Sequence, residues 1–568
     1  MPQAWAISKM NMFLHNINDA QVALEDTLQA PQFVEDGYIK KFDRVIANPP
    51  FSQSYSRSTM EFPQRFRYGF APEKGKKADL MFAQHMIASL NEKGVMATVM
   101  PHGVLFRGGA EKAIREGIIR ANIIEAIISL PPNLFYGTGI PACILVINKK
   151  KSKNLENKIL FINADAEYGE GRAQNYLRPE DIEKITFVFG NKQEEPKYSR
   201  LIGLDEIEKN DYNLNIRRYV DNSPDPEIED VYAHLVGGVP MREIALHEQD
   251  FCRYGLNSSV IFDVKDERYC LLKPAITNRA QIRKIVENHP AVAAENKKMD
   301  DALDRWWESA RVAIEALPHH NQVAKFRRES INQFKKQLAV TSILDEFQQA
   351  GAFVNWWEAV RWDMKAIVAT GWTPSLIPDD YIKSAFFTKE LDELKALEAK
   401  ASDLEAALSA LFDEIEMDEN GDEENGRTAK SFRSYLKEQI TDLKDTETES
   451  AKKERETLEA ALTTLEAKEK ELKLAKKSAR EKADDLEWKL EEKRRTFAEA
   501  DAMALILQKF RDIAYNEMHR YLTSQKEKIV RLFEKLWDKY RDSLATITDE
   551  REGARKQLND FIRRLKYL

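Results

Sequence analysis

FDRVIANPPF, residues 42–51, is the stretch on which the fold turns. It is a β-branched run that ends on two prolines, so it reads as a buried strand stopped by Pro49 and Pro50. Downstream, DLMFAQHMIASLNE (79–92) has apolar residues at helical spacing, and GVMATVMP (94–101) is again a strand halted by proline. Residues 110–121 read as a helix, NIIEAIISLP (122–131) as a strand and GIPACILVINKK (139–150) as a last buried strand. Upstream, QVALED (21–26) is a short apolar run ending on acid, read as a further strand. Alternating strands and helices argue for an open α/β sheet. In such sheets ligands bind at the carboxyl ends of strands, where this reading puts Asp26 and Asn48.

Beyond this region the pattern changes. Residues 151–220 carry short mixed elements, and 226–385 are mostly helical, with the aromatic pairs Trp306–Trp307 and Trp356–Trp357. From about 388, Leu394, Leu397, Ala401, Leu404, Leu408, Leu411 and Ile415 alternate spacings of three and four, which is a heptad seam. The acidic, glycine-containing MDENGDEENG (417–426) follows, and then a second run with Leu458, Leu462, Leu465, Leu472, Ala479, Ala483, Leu486 and Leu490. Two heptad runs around a turn predict an antiparallel coiled-coil hairpin. The tail, 500–568, is helical and more basic, and no repeat of 20 to 50 residues is present.

Composition sets bounds. The chain has 568 residues, enough for two or three domains, with 43 % hydrophobic and 32 % charged residues. High charge with a mean hydropathy of -0.54 marks long exposed helices. The net charge of -8 argues against coating DNA by charge alone, although a local basic patch or a partner can supply phosphate contacts. Cys143, Cys252 and Cys270 are scattered, with no zinc-ligand spacing, so no structural metal is expected and a reducing cytoplasm fits. No apolar stretch approaches the roughly 18 residues of a membrane span. The amino-terminal residues are not a signal peptide and read as the middle of a helix.

The sharpest chemical signal is Asn48-Pro49-Pro50-Phe51. The exocyclic amine of adenine is a poor nucleophile because its lone pair is delocalised into the ring. Two acceptors aimed at its N–H groups favour a tetrahedral nitrogen and localise that pair. The Asn48 side-chain oxygen and the Pro49 carbonyl can supply them, on a turn that two prolines stiffen. Phe51 offers a flat face for a base drawn out of a duplex. The competing reading is an Asn-Pro turn that ends a strand. Asp26 could accept a hydrogen bond from the amino group of a bound adenosine, or be a strand-ending acid or helix cap.

Several segments in order resemble one family: AWAISKMNMFLH (4–15), EDTL (25–28), FDRVIANPPFS (42–52), KADLMFAQHM (77–86), MPHGVLFRGG (100–109), LPPNLFYGTGIPACILVI (130–147) and LNIRRYV (214–220). Over most of residues 1–220 the chain resembles the methyltransferase subunit of type I restriction-modification systems. FVNWWEAVRWD…GWTPSLIPDDYI (353–382) and the helical tail resemble its longer members. The resemblance implies transfer of a methyl group from S-adenosylmethionine to adenine N6 of duplex DNA, with Asn48, Pro49, Pro50 and Phe51 as the catalytic group. It also implies cofactor contacts from Asp26 and Asn48, although Glu25 replaces the usual glycine before Asp26. A specificity subunit and a restriction subunit are the implied partners, in the cytoplasm, with no membrane association and no metal. The fold expected is α/β: a partial Rossmann-like methyltransferase sheet over 1–220, a helical domain over 221–387, the hairpin over 388–500 and a helical tail over 501–568.

One departure is large. In that family a glycine-rich cofactor loop, followed by a ribose-binding acid, comes before these motifs. Neither is in this chain, and Gly108-Gly109 and Gly237-Gly238 follow the catalytic group. The amino-terminal cofactor-binding half is therefore expected to be missing, whether supplied by an upstream polypeptide, hidden by a wrong start or lost. The alternative function is an inactive scaffold for the specificity subunit.

Other features are open to two readings. Lys74-Gly75-Lys76-Lys77, with Arg65 and Arg67 before it, is either a DNA-facing loop or a solvated basic loop. Phe135-Tyr136-Gly137-Thr138-Gly139 is either part of a base pocket or a tight hairpin, and the hairpin is preferred. His85, His102 and His319-His320 have no acid at ligand spacing and are taken as structural, and the tryptophan pairs as core.

Overall fold

The computed structural model describes residues 2–75, 77–320, 322–414, 429–445 and 448–565. The acidic segment 417–426, Ile415 and Lys76 lie outside the described residues. The chain divides into two compact units, one of Met1–Trp306, Ile331–Trp356 and Glu517–Leu568 and the other of Trp307–Ser330 and Trp357–Asn516.

The first unit holds a six-stranded mixed sheet. Its strands are β1 (Phe42–Ala47), β2 (Leu90–Pro101), β3 (Ile124–Ser129), β4 (Ala142–Asn148), β5 (Lys158–Asn163) and β6 (Ser199–Gly203), in the spatial order 1-2-4-3-5-6. The β1–β2 and β3–β5 pairs are parallel and the other three are antiparallel. Strand period two sorts the side chains. Ile127, Cys143, Leu145, Ile147 and Phe161 face one core, completed by α2 (Asp79–Ala88) and α3 (Ala110–Arg120). Ala126, Ile128, Val146, Leu160 and Ile162 face another, completed by Ile185 and Val188 of the helix Pro179–Asn191. Pro179 opens that helix at a position where no N–H is needed, and Asp181 accepts the Arg178 N–H at 2.8 Å. The α/β sheet read from the sequence is thus present.

Two expectations change. QVALED forms no strand. Its acids close a local turn instead: Asp26 Oδ1 accepts the N–H groups of Leu28 at 3.0 Å and Gln29 at 3.1 Å, and Glu25 accepts from Thr27 Oγ1 at 3.1 Å. Short carboxylate side chains that capture neighbouring N–H groups compete with a ladder. β1 is also not buried. It is an edge strand, and Ile46 is 85 % exposed. The amino-terminal helix Pro2–Leu14 buries no residue.

Within the mostly helical stretch the sequence concealed a small antiparallel sheet, Val239–Pro240, Phe262–Val264 and Tyr269–Leu272. These strands have two to four residues, too short for a period to show. Trp306 and Trp356 are buried in the first unit and meet edge to face at 5.0 Å between centroids, so their core reading holds.

In the second unit the helices Thr388–Glu414 and Glu449–Arg495 run antiparallel, as Lys482–Glu393 at 2.6 Å and Lys489–Glu390 at 3.3 Å record. All six described seam residues from Leu394 to Leu411 are buried or half-buried. A third helix, Ala429–Asp442, adds Phe432 and Leu436 against Leu408 and Leu465. The hairpin therefore covers its own seam. Among the described residues no helix is long and apolar enough to cross a membrane.

Candidate functional site

β1 delivers Asn48, Pro49, Pro50 and Phe51 to its carboxyl end, beside the end of β2. The Asn48 side chain is exposed, and no hydrogen-bond partner for it exists among the described residues. The turn after it is held firmly. Ser52 takes the left-handed conformation, φ +56°, which costs energy for a residue with a Cβ. Its N–H donates to Asp79 Oδ1 at 3.1 Å, and the Ala78 N–H donates to the Gln53 carbonyl at 3.1 Å.

Asp79 is only 2 % exposed, and its other oxygen pairs with Arg107 at 3.3 Å. Arg107 in turn reaches Glu111 at 3.2 Å, and Lys77 reaches Glu111 at 3.5 Å. Two cations thus balance two buried acids directly behind the turn. Nothing local in the segments holding Asp79 and Arg107 signals this role. Twenty-eight residues separate the two, and only folding brings them together.

Phe51 meets Phe135 edge to face, with centroids 6.1 Å apart. Phe135 and Thr138 pair across a tight hairpin, as preferred from the sequence. Gly137 at φ +74° supplies the third turn position, where a side chain would be strained. Tyr136 at the tip is 91 % exposed. The loop is a hairpin, and it stands against Phe51.

The same sheet end carries a cavity of about 670 Å³ lined by His102, Leu130, Pro132, Asp165, Arg217 and Asn222. His102 Nε2 lies 3.3 Å from Ser129 Oγ. Asp165 accepts from Arg217 at 3.0 Å and Asn222 at 2.5 Å. Burial pushes His102 below the usual histidine range, with the Asp165 carboxylate opposing. His102 has no acid near it in the chain, because Asp165 arrives from the end of β5.

Among the described residues no hydrogen bond joins Asp26 to the Asn48 turn. Its segment is stitched to the following loop instead, with Gln29 Nε2 donating to the Ser56 carbonyl at 3.0 Å and Arg65 Nη1 to the Thr27 carbonyl at 2.8 Å. Asp26 Oδ2 has no partner among the described residues. Asp26, Leu24, Ile46 and Asn48 are all exposed, so the described residues do not enclose a nucleotide-sized pocket around Asp26 and Asn48. Arg65 is not DNA-facing: it is buried, and its guanidinium holds the carbonyls of Thr27, Leu28 and Glu61. Lys77 is engaged by Glu111. His85 sits inside this packing, and its Nδ1 lies 2.7 Å from Arg65 Nη1.

Residues 1–227 match the N-6 DNA Methylase family model. The chain is 39 % identical over 241 residues to the type I restriction enzyme MjaVIII methylase subunit of Methanocaldococcus jannaschii, covering 40 % of each protein. It is 33 % identical over 235 residues to the MpnII methylase subunit of Mycoplasma pneumoniae, covering 40 % of this chain and 43 % of that one. A solved type I methyltransferase subunit from Streptococcus thermophilus shares 36 % identity over 39 % of this chain and 47 % of its own, at a TM-score of 0.37. The chain thus spans less than half the length of these relatives. Residues 1–227, the stretch that holds Asn48, Phe51, Asp79 and Phe135, are thus similar to the N-6 DNA Methylase family.

Proposed function

We propose that this chain is the methylase subunit of a type I restriction-modification system, acting on adenine N6 in duplex DNA. The observation that carries the reading is the Asn48 side chain, exposed and unpartnered on a turn anchored by buried Asp79 and flanked by Phe51. Asn48 Oδ1 and the Pro49 carbonyl take the two N–H groups of an extruded adenine. That localises the amine lone pair, while Phe51 holds the ring face. In this reading residues 1–220 carry the catalytic part, and 221–387, 388–500 and 501–568 form the helical region, hairpin and tail. The hairpin docks the specificity subunit, which reads the DNA sequence. A restriction subunit joins the full complex in the cytoplasm.

S-adenosylmethionine is the methyl donor of this proposal, with Asp26 Oδ2 and Asn48 as its contacts from this chain. These residues alone do not fit a complete donor site, because the surface around them is open. The purified chain is accordingly expected to give no S-adenosylmethionine heat in calorimetry, whereas a complete pocket would give about -8 kcal/mol at about 1 μM.

The decisive test is methyl transfer to duplex DNA by the complex reconstituted with its specificity subunit. Asn48→Ala is expected to lower the rate by about 10²–10³-fold, the usual effect of removing one preorganised hydrogen-bonding group. An unchanged rate would falsify the assignment. The open donor edge also favours a second reading, an inactive scaffold for the specificity subunit. A wild-type complex with no transfer, but intact assembly, would establish that one.

A further inference from the structure

At the end of the sheet opposite the Asn48 turn, four cations meet in one cavity. Lys41 immediately precedes β1 and donates to the Ala88 carbonyl. Lys149 follows β4 and donates to the Leu90 carbonyl at 2.7 Å, where β2 begins. Arg67 lies over the Tyr68 ring at 4.7 Å and donates to its hydroxyl. With Arg65, Tyr38 and Phe62 they line a cavity of about 270 Å³. β1 spans six residues, which puts this cavity roughly 20 Å from Asn48 at about 3.3 Å per residue.

Three of these four charges are not balanced. Among the described residues no carboxylate forms an ion pair with Lys41, Arg67 or Lys149. Burial and the neighbouring Lys41 and Arg67 push the Lys149 ammonium down to about 8. Arg65 is 5 % exposed, and its buried Nε has no hydrogen-bond partner. A buried donor without an acceptor is costly, and so is a cluster of like charges. The cost of the like charges falls when an oxygen-rich anion enters. Arginine and lysine with aromatic walls are the usual lining for a phosphate, which offers several acceptor oxygens and at least one negative charge.

We propose that this cavity binds a phosphate group, with Lys41, Arg67 and Lys149 as its ligands. The group belongs either to free phosphate or a nucleotide, or to a DNA backbone passing this end of the sheet. This site is separate from the catalytic turn and stands whether or not the methylation reading does.

The test uses the full chain, inorganic phosphate and a short DNA duplex, with chloride matching the ionic strength. Wild type is expected to show calorimetric phosphate binding and a phosphate-dependent rise in Tm. Lys149→Gln is expected to weaken phosphate binding at least about tenfold. In phosphate-free buffer its Tm should be unchanged or higher, because a repulsion has been removed. Exposed Lys41→Gln should show the same loss and guards against a folding artefact at Lys149. If free phosphate gives no heat but either variant lowers the salt slope of duplex binding by about one, the phosphate belongs to DNA. Phosphate and duplex binding that are both indifferent to both variants would overturn the proposal.

Discussion

β1 and β3 are alike as sequence and opposite as structure. VIA in one and IEAII in the other are both short β-branched runs between turn signals. β3 lies between β4 and β5 with all six residues buried, whereas β1 is an edge strand with none buried. The difference lies in neighbours, not composition. Helices cover both faces of β3, while Ile46 of β1 faces solvent. The buried strand supplies stability. In the proposed reading the exposed one presents the chemical group, because a residue that must meet a large substrate cannot be packed away.

This contrast can be broken or sharpened by mutation. The largest expected effect is on stability. Ile127→Ala, fully buried on β3, should cost about 2–5 kcal/mol in denaturant unfolding, whereas Ile46→Ala should stay within about 0.5 kcal/mol. A large cost at Ile46 would mean that β1 is covered in solution.

The packing beneath the site region gives the next effect. Burial, aided by Arg65, holds His85 at about 4, below its ordinary 6.5. Its neutral Nδ1 accepts from the Arg65 guanidinium, so protonation would bring two cations together. A depressed folded value means that the unfolded chain binds the proton first. The contribution is therefore fully present above about pH 6.5 and is lost as pH falls toward about 4. Unfolding curves at a series of pH values should show up to about 3 kcal/mol of loss attributable to this group. His85→Gln should flatten that part of the profile, and an unchanged profile would remove His85 from the explanation.

The smallest effect tests the anchor of the turn. Asp79→Asn keeps an acceptor for the Ser52 N–H but removes one of the two carboxylates that Arg107 pairs with, leaving Glu111. Methyl transfer by the reconstituted complex should fall by about tenfold through kcat, with KM for DNA little changed, as expected for a misplaced catalytic turn. Equal loss in a variant that leaves Asn48 alone and merely lowers Tm would reduce Asp79 to a stability role.

Legibility followed the range of the interaction. The hairpin of the second unit could be read directly, because a heptad records its own partner face every three or four residues. The third helix, Ala429–Asp442, escaped notice, because its Phe432 and Leu436 acquire meaning only against Leu408 and Leu465. The strand and turn at 42–51 were equally readable, since proline fixes φ and removes a donor wherever it occurs. QVALED was misread because strand period says nothing about whether a neighbouring strand exists. Its acids found nearer N–H groups.

The sequence by itself determined the alternating elements of the sheet, the coiled-coil seam and the Asn48-Pro49-Pro50-Phe51 group, all of which rest on local periodicity or fixed backbone chemistry. Only the tertiary structure decided that β1 is an exposed edge, that Asp79 and Arg107 brace the turn, that Phe135 meets Phe51, and that Lys41, Arg67 and Lys149 share one cavity. Each of these depends on residues distant in the chain. Such encounters are set by packing and burial, which no local pattern encodes.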